Sequence, residues 1–377
     1  MVGGSERHLR VLAGRLAAQG GFEVEIATTC ATSDATWENV LTPGRSVDDG
    51  LVVHRFPART PDAWAVALTR RVLSRPGATR LLDRLGWKPA TVTSPGLSAF
   101  LRETRPDWDA VVAAPCVYGT TAAVVAEAPE RAVLVPCIHD EPAARLSSTG
   151  RLLRAASRRF FNTDFERELA RRLHGDAAAS GPIVGLGFEA PPDVAPAEEV
   201  RARFDLAGDF LVHAGRTAPG KGVEQLVEAV RSHNLARPAA AVGLVLVGAG
   251  RRPASIDPVI RHLGWVDERT KHGLVAAALG FASFSRMESL SIALLEAWLL
   301  GTPAIVDANS GLLAWQVRRS GGGFAVQAPE DLAAAIDGLR DPALRAALAA
   351  GGERLVREEH AWGRVLGAFV AGLPEAR

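Results

Sequence analysis

Cysteine is scarce in this chain, a net charge is all but missing, and long apolar runs are absent. Only Cys30, Cys116 and Cys137 occur in 377 residues. Their odd number and wide spacing, with no Cys-x-x-Cys pair, exclude a disulfide framework and a structural zinc site. A reducing cytoplasm is the compartment this usage predicts. The 43 basic and 42 acidic residues leave a formal charge of +1, so no global field recruits nucleic acid. Binding specificity must therefore be local. No stretch reaches the roughly 18 uninterrupted apolar residues of a membrane span. The start of the chain also lacks the basic, apolar, small-residue order of a signal peptide. The expectation is a soluble protein, at most peripheral to a membrane. Internal repeats and low-complexity segments are likewise missing.

What is present is length and apolar content. With 47% hydrophobic residues over 377 positions, the chain is long enough for two domains, each with its own core. Runs rich in Val, Ile and Phe alternate with amphipathic segments, which predicts an α/β fold with parallel sheets. Strands are expected at 23–28, 51–56, 110–114, 132–138, 159–162 and 183–186. A proline-rich segment, 187–196, reads as a linker. A second series follows, with strands at 210–214, 243–247, 281–284 and 304–306 and helices at 223–232, 268–278 and 289–300. Helices at 344–358 and 361–373 close the chain. The expected division is 1–190, 197–358 and a terminal helix, 359–377. Two doubly wound, Rossmann-like domains facing a cleft would bind ligands beyond the C-terminal ends of their strands.

Glu296 stands where an ionised carboxylate is out of place. Ile292 to Leu295 precede it and Ala297 to Leu300 follow, an apolar helix ending at Gly301-Thr302-Pro303. A carboxylate there needs a partner. If Ser289 opens the helix, Glu288 lies about 12 Å from Glu296 along the axis. That exceeds the roughly 5 to 9.5 Å between the two carboxyls of a glycosidase. The spacing suits two grips on one extended ligand, with the free N–H groups of Ser289, Leu290 and Ser291 available to a phosphate. A nucleotide-sugar fits this pattern.

Other candidates carry two readings each. Arg216 and Lys221 lie five apart in the loop Gly215-Arg216-Thr217-Ala218-Pro219-Gly220-Lys221-Gly222, which suits a diphosphate but also describes an ordinary turn. Asp140, after His139 and before Glu141-Pro142, reads as a helix N-cap. Gly3-Gly4 allows close backbone approach to a ligand. Between 69 and 88, Arg70, Arg71, Arg75, Arg80, Arg84 and Lys88 face a single acid, Asp83. That span is either a solvated helix face or a contact to an acidic acceptor or an anionic membrane.

The stretch from Glu288 to Pro303 reproduces a Glu, seven residues, a second Glu with Ala, and a Gly-Thr-Pro turn. With the Gly215 to Gly222 loop and Gly3-Gly4-Ser5-Glu6-Arg7-His8, it resembles the retaining GT-B glycosyltransferases of glycosyltransferase family 4, over essentially the whole chain. The resemblance implies a hexosyltransferase-type enzyme moving a sugar from a nucleotide diphosphate sugar to a hydroxyl acceptor. It implies no metal and no cofactor, the nucleotide-sugar being a substrate. Glu296 would accept from ribose hydroxyls and Glu288 from sugar hydroxyls, while Arg216 and Lys221 would hold the diphosphate. His139 would face the reacting groups. Gly264-Trp265-Val266 resembles the segment whose backbone touches the nucleobase, with packing the other reading for Trp265. Gly280 and Phe284 depart from the family's usual Asp and Pro. A degenerate relative that binds without turnover, and an epimerase or phosphorylase, are the competing readings.

One further expectation concerns the first strand. Only Met1 and Val2 precede Gly3-Gly4, so the family's opening strand is missing here. Met1 is expected to be an internal start or a truncation. That leaves two strands with unpaired edges and a first domain less stable than the second.

Overall fold

The computed structural model describes residues 4–33, 36–218, 220–253 and 259–375, apart from the side chain of residue 76. Two compact units emerge, one comprising 1–187 with 363–377 and the other 188–362. No described helix is long and apolar enough to cross a membrane.

Unit 2 is built on a six-stranded parallel sheet. Its strands are β7 (Phe210–Ala214), β8 (Gly243–Val247), β9 (Ile260–Gly264), β10 (Gly280–Ser283), β11 (Ala304–Asp307) and β12 (Gly323–Val326). Their spatial order is β12-β11-β10-β7-β8-β9. Every residue of β7, β10 and β11 is buried, because helices cover both faces of a parallel sheet. The core joins Leu211, Leu244, Ala282 and Ile305 of the sheet to Leu226, Val230, Ile336 and Leu339 of flanking helices. On the other face Trp298 is fully buried, its Nε1 donating to Gly322 O at 2.8 Å. A side chain at Gly352 would meet that indole at 2.3 Å, which is why a residue without Cβ stands there. From β7 the chain runs outward through β8 and β9, then returns to the other side of β7 as β10. The switch in direction therefore falls between β7 and β10, where such folds place their ligands.

Unit 1 holds two separate three-stranded sheets. In one, β1 (Glu25–Thr29) runs parallel to β3 (Leu51–Phe56), and β2 (Gly44–Asp48) pairs antiparallel on its far side. In the other, β4 (Val111–Ala113), β5 (Ala132–Leu134) and β6 (Arg158–Arg159) are parallel. Among the described residues β1 pairs only with β3, and β4 only with β5. Ala27 and Thr28 of β1 are exposed, unlike the interior strands of unit 2. The helix Pro95–Thr104 touches β1 and β3 while Leu97 and Leu101 enter the core around Leu134, so side chains join what hydrogen bonds do not. Phe369 of the last helix, Trp362–Gly372, packs edge-on against Phe160 at 5.1 Å.

Several expected elements are shorter than the apolar runs suggest. The strand expected at 132–138 stops at Leu134, since Pro136 follows and Cys137 takes a positive φ of 54°. The one expected at 159–162 is reduced to Arg158–Arg159, and 183–186 keeps a single bridge, Phe161 to Ile183. The helix expected from Ser289 begins instead at Ile292, with Ser291 at its N-cap. The helix after His139 is a 3-10 turn, Pro142–Arg145, capped in position by Glu141 and not by Asp140.

Candidate functional site

The loop after β7 and the segment after β10 meet at the switch point of unit 2. Gly222 allows this: its φ is +67°, and an added Cβ would lie 2.1 Å from Phe284 O. Pressed against that strand exit, the loop delivers Lys221. Its Nζ lies 2.8 Å from Glu288 Oε1 and donates to Met287 O at 3.3 Å. Glu288 is thus an ion-pair partner rather than a helix cap, four residues ahead of the helix Ile292–Leu299. Gly215 N donates to Val247 O, and Thr217 N to Ala249 O, fixing the loop against the end of β8. Arg216 is exposed on the same loop; Pro219 lies outside the described residues.

Glu296 finds the partner its surroundings require in Lys271. Nζ of Lys271 lies 2.8 Å from Glu296 Oε2 and 2.9 Å from Glu268 Oε2. Asp267 caps the helix Glu268–Ala276 by accepting from Thr270 N at 2.8 Å, which sets Lys271 on the face toward Glu296. Among the described residues, Glu268, His272 and Glu296 form the one group whose ligand atoms lie close enough together for a metal. An ammonium group already sits between its two carboxylates. Burial holds His272 below its usual pKa, and the neighbouring Lys271 adds to this.

Three buried polar atoms at this end of the sheet have no hydrogen-bond partner among the described residues: His213 Nε2, Thr217 Oγ1 and Ser285 Oγ. His213 Nδ1 lies 3.0 Å from Ala282 O. A carbonyl only accepts, so Nδ1 carries the proton and Nε2 offers a lone pair. Burial lowers the His213 pKa and keeps the ring neutral. Buried polar atoms are ordinarily satisfied, so three orphans beside Lys221 and Glu288 mark a place for a polar ligand or ordered water. No motif singles out His213. Beyond them, Arg286 bonds Asp307 Oδ2 through Nε at 3.1 Å and ties β10 to β11.

The remaining expected residues divide cleanly. Trp265, next to Gly264 at the end of β9, is 76% exposed and packs in no core. Leu290 and Ser291 are buried, and Ser289 and Leu290 precede the helix, so their N–H groups are not its N-terminus. Gly4 opens the first helix, Gly4–Gln19, and Gly3 lies outside the described residues. His139 belongs to unit 1. Its Nδ1 is 3.2 Å from Glu141 Oε1, an ion-pair distance without hydrogen-bond alignment. Asp140 is held by Arg145 and, at 3.0 Å, by Arg172.

Beneath His139 sits Glu166, which sequence reasoning misses because it lies in the charged helix Asp164–His174. Its oxygens accept from Ile138 N at 2.8 Å and Asn162 N at 2.7 Å, fixing the turn that carries His139. Burial pushes the Glu166 carboxyl from 4.5 up to about 7, despite those backbone donors. The folded chain then holds this proton more firmly than the unfolded one. Stability from Glu166 is present in full below about pH 4.5 and is lost as pH rises to about 7, in total about 3 kcal/mol. Denaturant titrations of the wild type and Glu166→Gln should show this slope only in the wild type. Parallel profiles would remove Glu166 from the account.

Comparison with known proteins adds four findings. Residues 208–341 match the family described as glycosyl transferases group 1. A D-inositol 3-phosphate glycosyltransferase of Streptomyces scabiei is 30% identical over 362 residues, covering 86% of this chain and 75% of that protein. Its namesake in Jonesia denitrificans is 30% identical over 253 residues, 60% of this chain, and the match spans 58% of that relative's length. Sucrose-phosphate synthase from Thermosynechococcus elongatus superposes with a TM-score of 0.71 at 17% identity, over 98% of this chain and 92% of its own. At that identity the likeness speaks for the fold alone, which is GT-B.

Proposed function

Because the chain belongs to the glycosyl transferases group 1, a family of transferases, we propose that it moves a sugar from a nucleotide diphosphate sugar to a hydroxyl acceptor. The transfer retains the anomeric configuration and uses no metal, as in glycosyltransferase family 4. The observation that carries this reading is the meeting of Lys221 and Glu288 across the β7–β10 switch point, beside three unsatisfied buried polar atoms.

The diphosphate lies against the Gly215–Gly222 loop, where Lys221 and Arg216 offset its charge as it becomes the leaving group. Glu288 shares or releases Lys221 and accepts from sugar hydroxyls. Glu296 gives up part of Lys271, which keeps Glu268, and accepts from the ribose hydroxyls. The bond from the anomeric carbon to the phosphate oxygen breaks. A new bond from that carbon to the acceptor oxygen forms on the same face, and the acceptor's proton passes to the leaving phosphate. In unit 1, His139 orients the acceptor hydroxyl, and a phosphorylated polyol such as D-inositol 3-phosphate is the first acceptor to try.

Calorimetry with UDP, GDP and ADP tests the donor site. Glu296→Ala should weaken the preferred nucleotide about 10- to 100-fold, the value of one charge-assisted hydrogen bond of about 1.5 to 3 kcal/mol. The fold should survive, because Lys271 retains Glu268. Product NMR should show the donor's linkage retained, and EDTA should leave the rate unchanged. Unaltered affinity in the variant, an inverted product or full loss of rate in EDTA would each overturn part of this reading.

A further inference from the structure

The helices Ala63–Leu73 and Pro76–Arg84 of unit 1 present an outer surface of unusual composition. On the first, Trp64, Leu68 and Arg71 follow at helical spacing, with Arg75 continuing the row, and all are exposed. On the second, Arg80, Leu81 and Arg84 share the outer face, and Leu85 follows at its C-cap. Trp64 is 69% exposed, Leu81 60% and Leu85 73%. Large apolar side chains scattered singly need no explanation, but four of them interleaved with arginines do.

The electrostatics point the same way. Between 69 and 88 the chain carries six cations and one acid, and none of the six has an ion-pair partner among the described residues. The acid, Asp83, is turned inward. It accepts from Ser147 N at 2.9 Å and Ser147 Oγ at 2.8 Å, anchoring the second helix to the body of unit 1. Thr79 Oγ1 donates to Val72 O at 2.7 Å and locks the two helices together. Asp83 is thus consumed in anchoring the second helix, while Asp62, at the N-cap of the first, accepts from the Trp64 indole at 3.2 Å and leaves the six cations unopposed. Elsewhere a number of exposed arginines do find carboxylates, as Arg102 does with Glu127 and Arg319 with Glu359.

We propose that this helix pair is a docking surface for an anionic lipid bilayer. Trp64, Leu68, Leu81 and Leu85 enter the headgroup layer, and Arg70, Arg71, Arg75, Arg80, Arg84 and Lys88 lie against lipid phosphates. A nucleic acid would match the cations but leave the aliphatic side chains in water. An acidic protein would not need an exposed indole and three exposed leucines, whereas the interface of a bilayer takes both parts of such a surface. The inference does not depend on the transfer reaction and stands or falls separately from it.

The test is co-sedimentation of the full chain with vesicles of pure phosphatidylcholine and of phosphatidylcholine mixed with phosphatidylglycerol. Binding should be roughly tenfold or more tighter to the mixed vesicles and should weaken steeply with salt. The variant Arg71→Glu/Arg75→Glu/Arg80→Glu/Arg84→Glu should lose that preference. Leu81→Ser/Leu85→Ser should bind more weakly at every salt concentration. Both variants alter exposed side chains, so thermal melts and nucleotide binding should match the wild type. Equal binding to both vesicle types, full binding by the charge-reversed variant, or binding to heparin without binding to vesicles would each overturn the proposal.

Discussion

Lys221→Met should lower turnover about 10²- to 10³-fold while weakening nucleotide diphosphate binding far less. A preorganised cation aimed at a leaving group is worth most when the charge develops, and removal of one such donor costs about that much in rate. The preorganisation is visible in the free chain. Gly222 seats the loop against Phe284 O, and Glu288 holds the ammonium 2.8 Å away, so little ordering is left to be done when the ligand arrives. Steady-state kinetics alongside calorimetry separates the two effects. Equal losses in affinity and in turnover would make Lys221 a ground-state binding residue only.

His139→Ala should cost about 10²- to 10⁴-fold in kcat, the range for a positioned proton-transfer group, with nucleotide affinity changed by a few-fold at most. The ring sits on a turn fixed from below by Glu166 through Ile138 N, so replacing it should not move its neighbours. A loss confined to nucleotide affinity would take His139 away from the acceptor hydroxyl.

How far the sequence reveals these features depends on what kind of signal each leaves. Strands β7 and β8 match their expected limits, because a buried parallel strand is a nearly continuous apolar run with abrupt ends, and β3 does so though only half-buried. Strand β2, Gly-Arg-Ser-Val-Asp, leaves no such run, being polar, exposed and paired on one side only. Strand β5 ends early for a backbone reason, the positive φ at Cys137, that apolar character does not report. Glu288 and Glu296 stand out by their spacing, and Lys221 only through the likeness of its loop beside them. Lys271 does not, since only the packing of two helices makes it the partner of Glu296. Glu166 and His213 are invisible for a similar reason. One of three acids in a charged helix and a single histidine in an apolar strand look ordinary until burial is known.

The division of unit 1 into two narrow sheets has a mechanical consequence. A hydrogen-bonded ladder resists shear because sliding by one residue breaks every bond at once and turns each side chain to the wrong face. The six strands of unit 2 are joined by one such ladder. Between β1-β3-β2 and β4-β5-β6 the join is made by side chains such as Leu97 and Leu101, and packed apolar contacts are non-directional. Small displacements across that seam exchange one set of van der Waals contacts for another of similar depth. Unit 1 is therefore expected to yield along a line through its own core where the ladder of unit 2 resists.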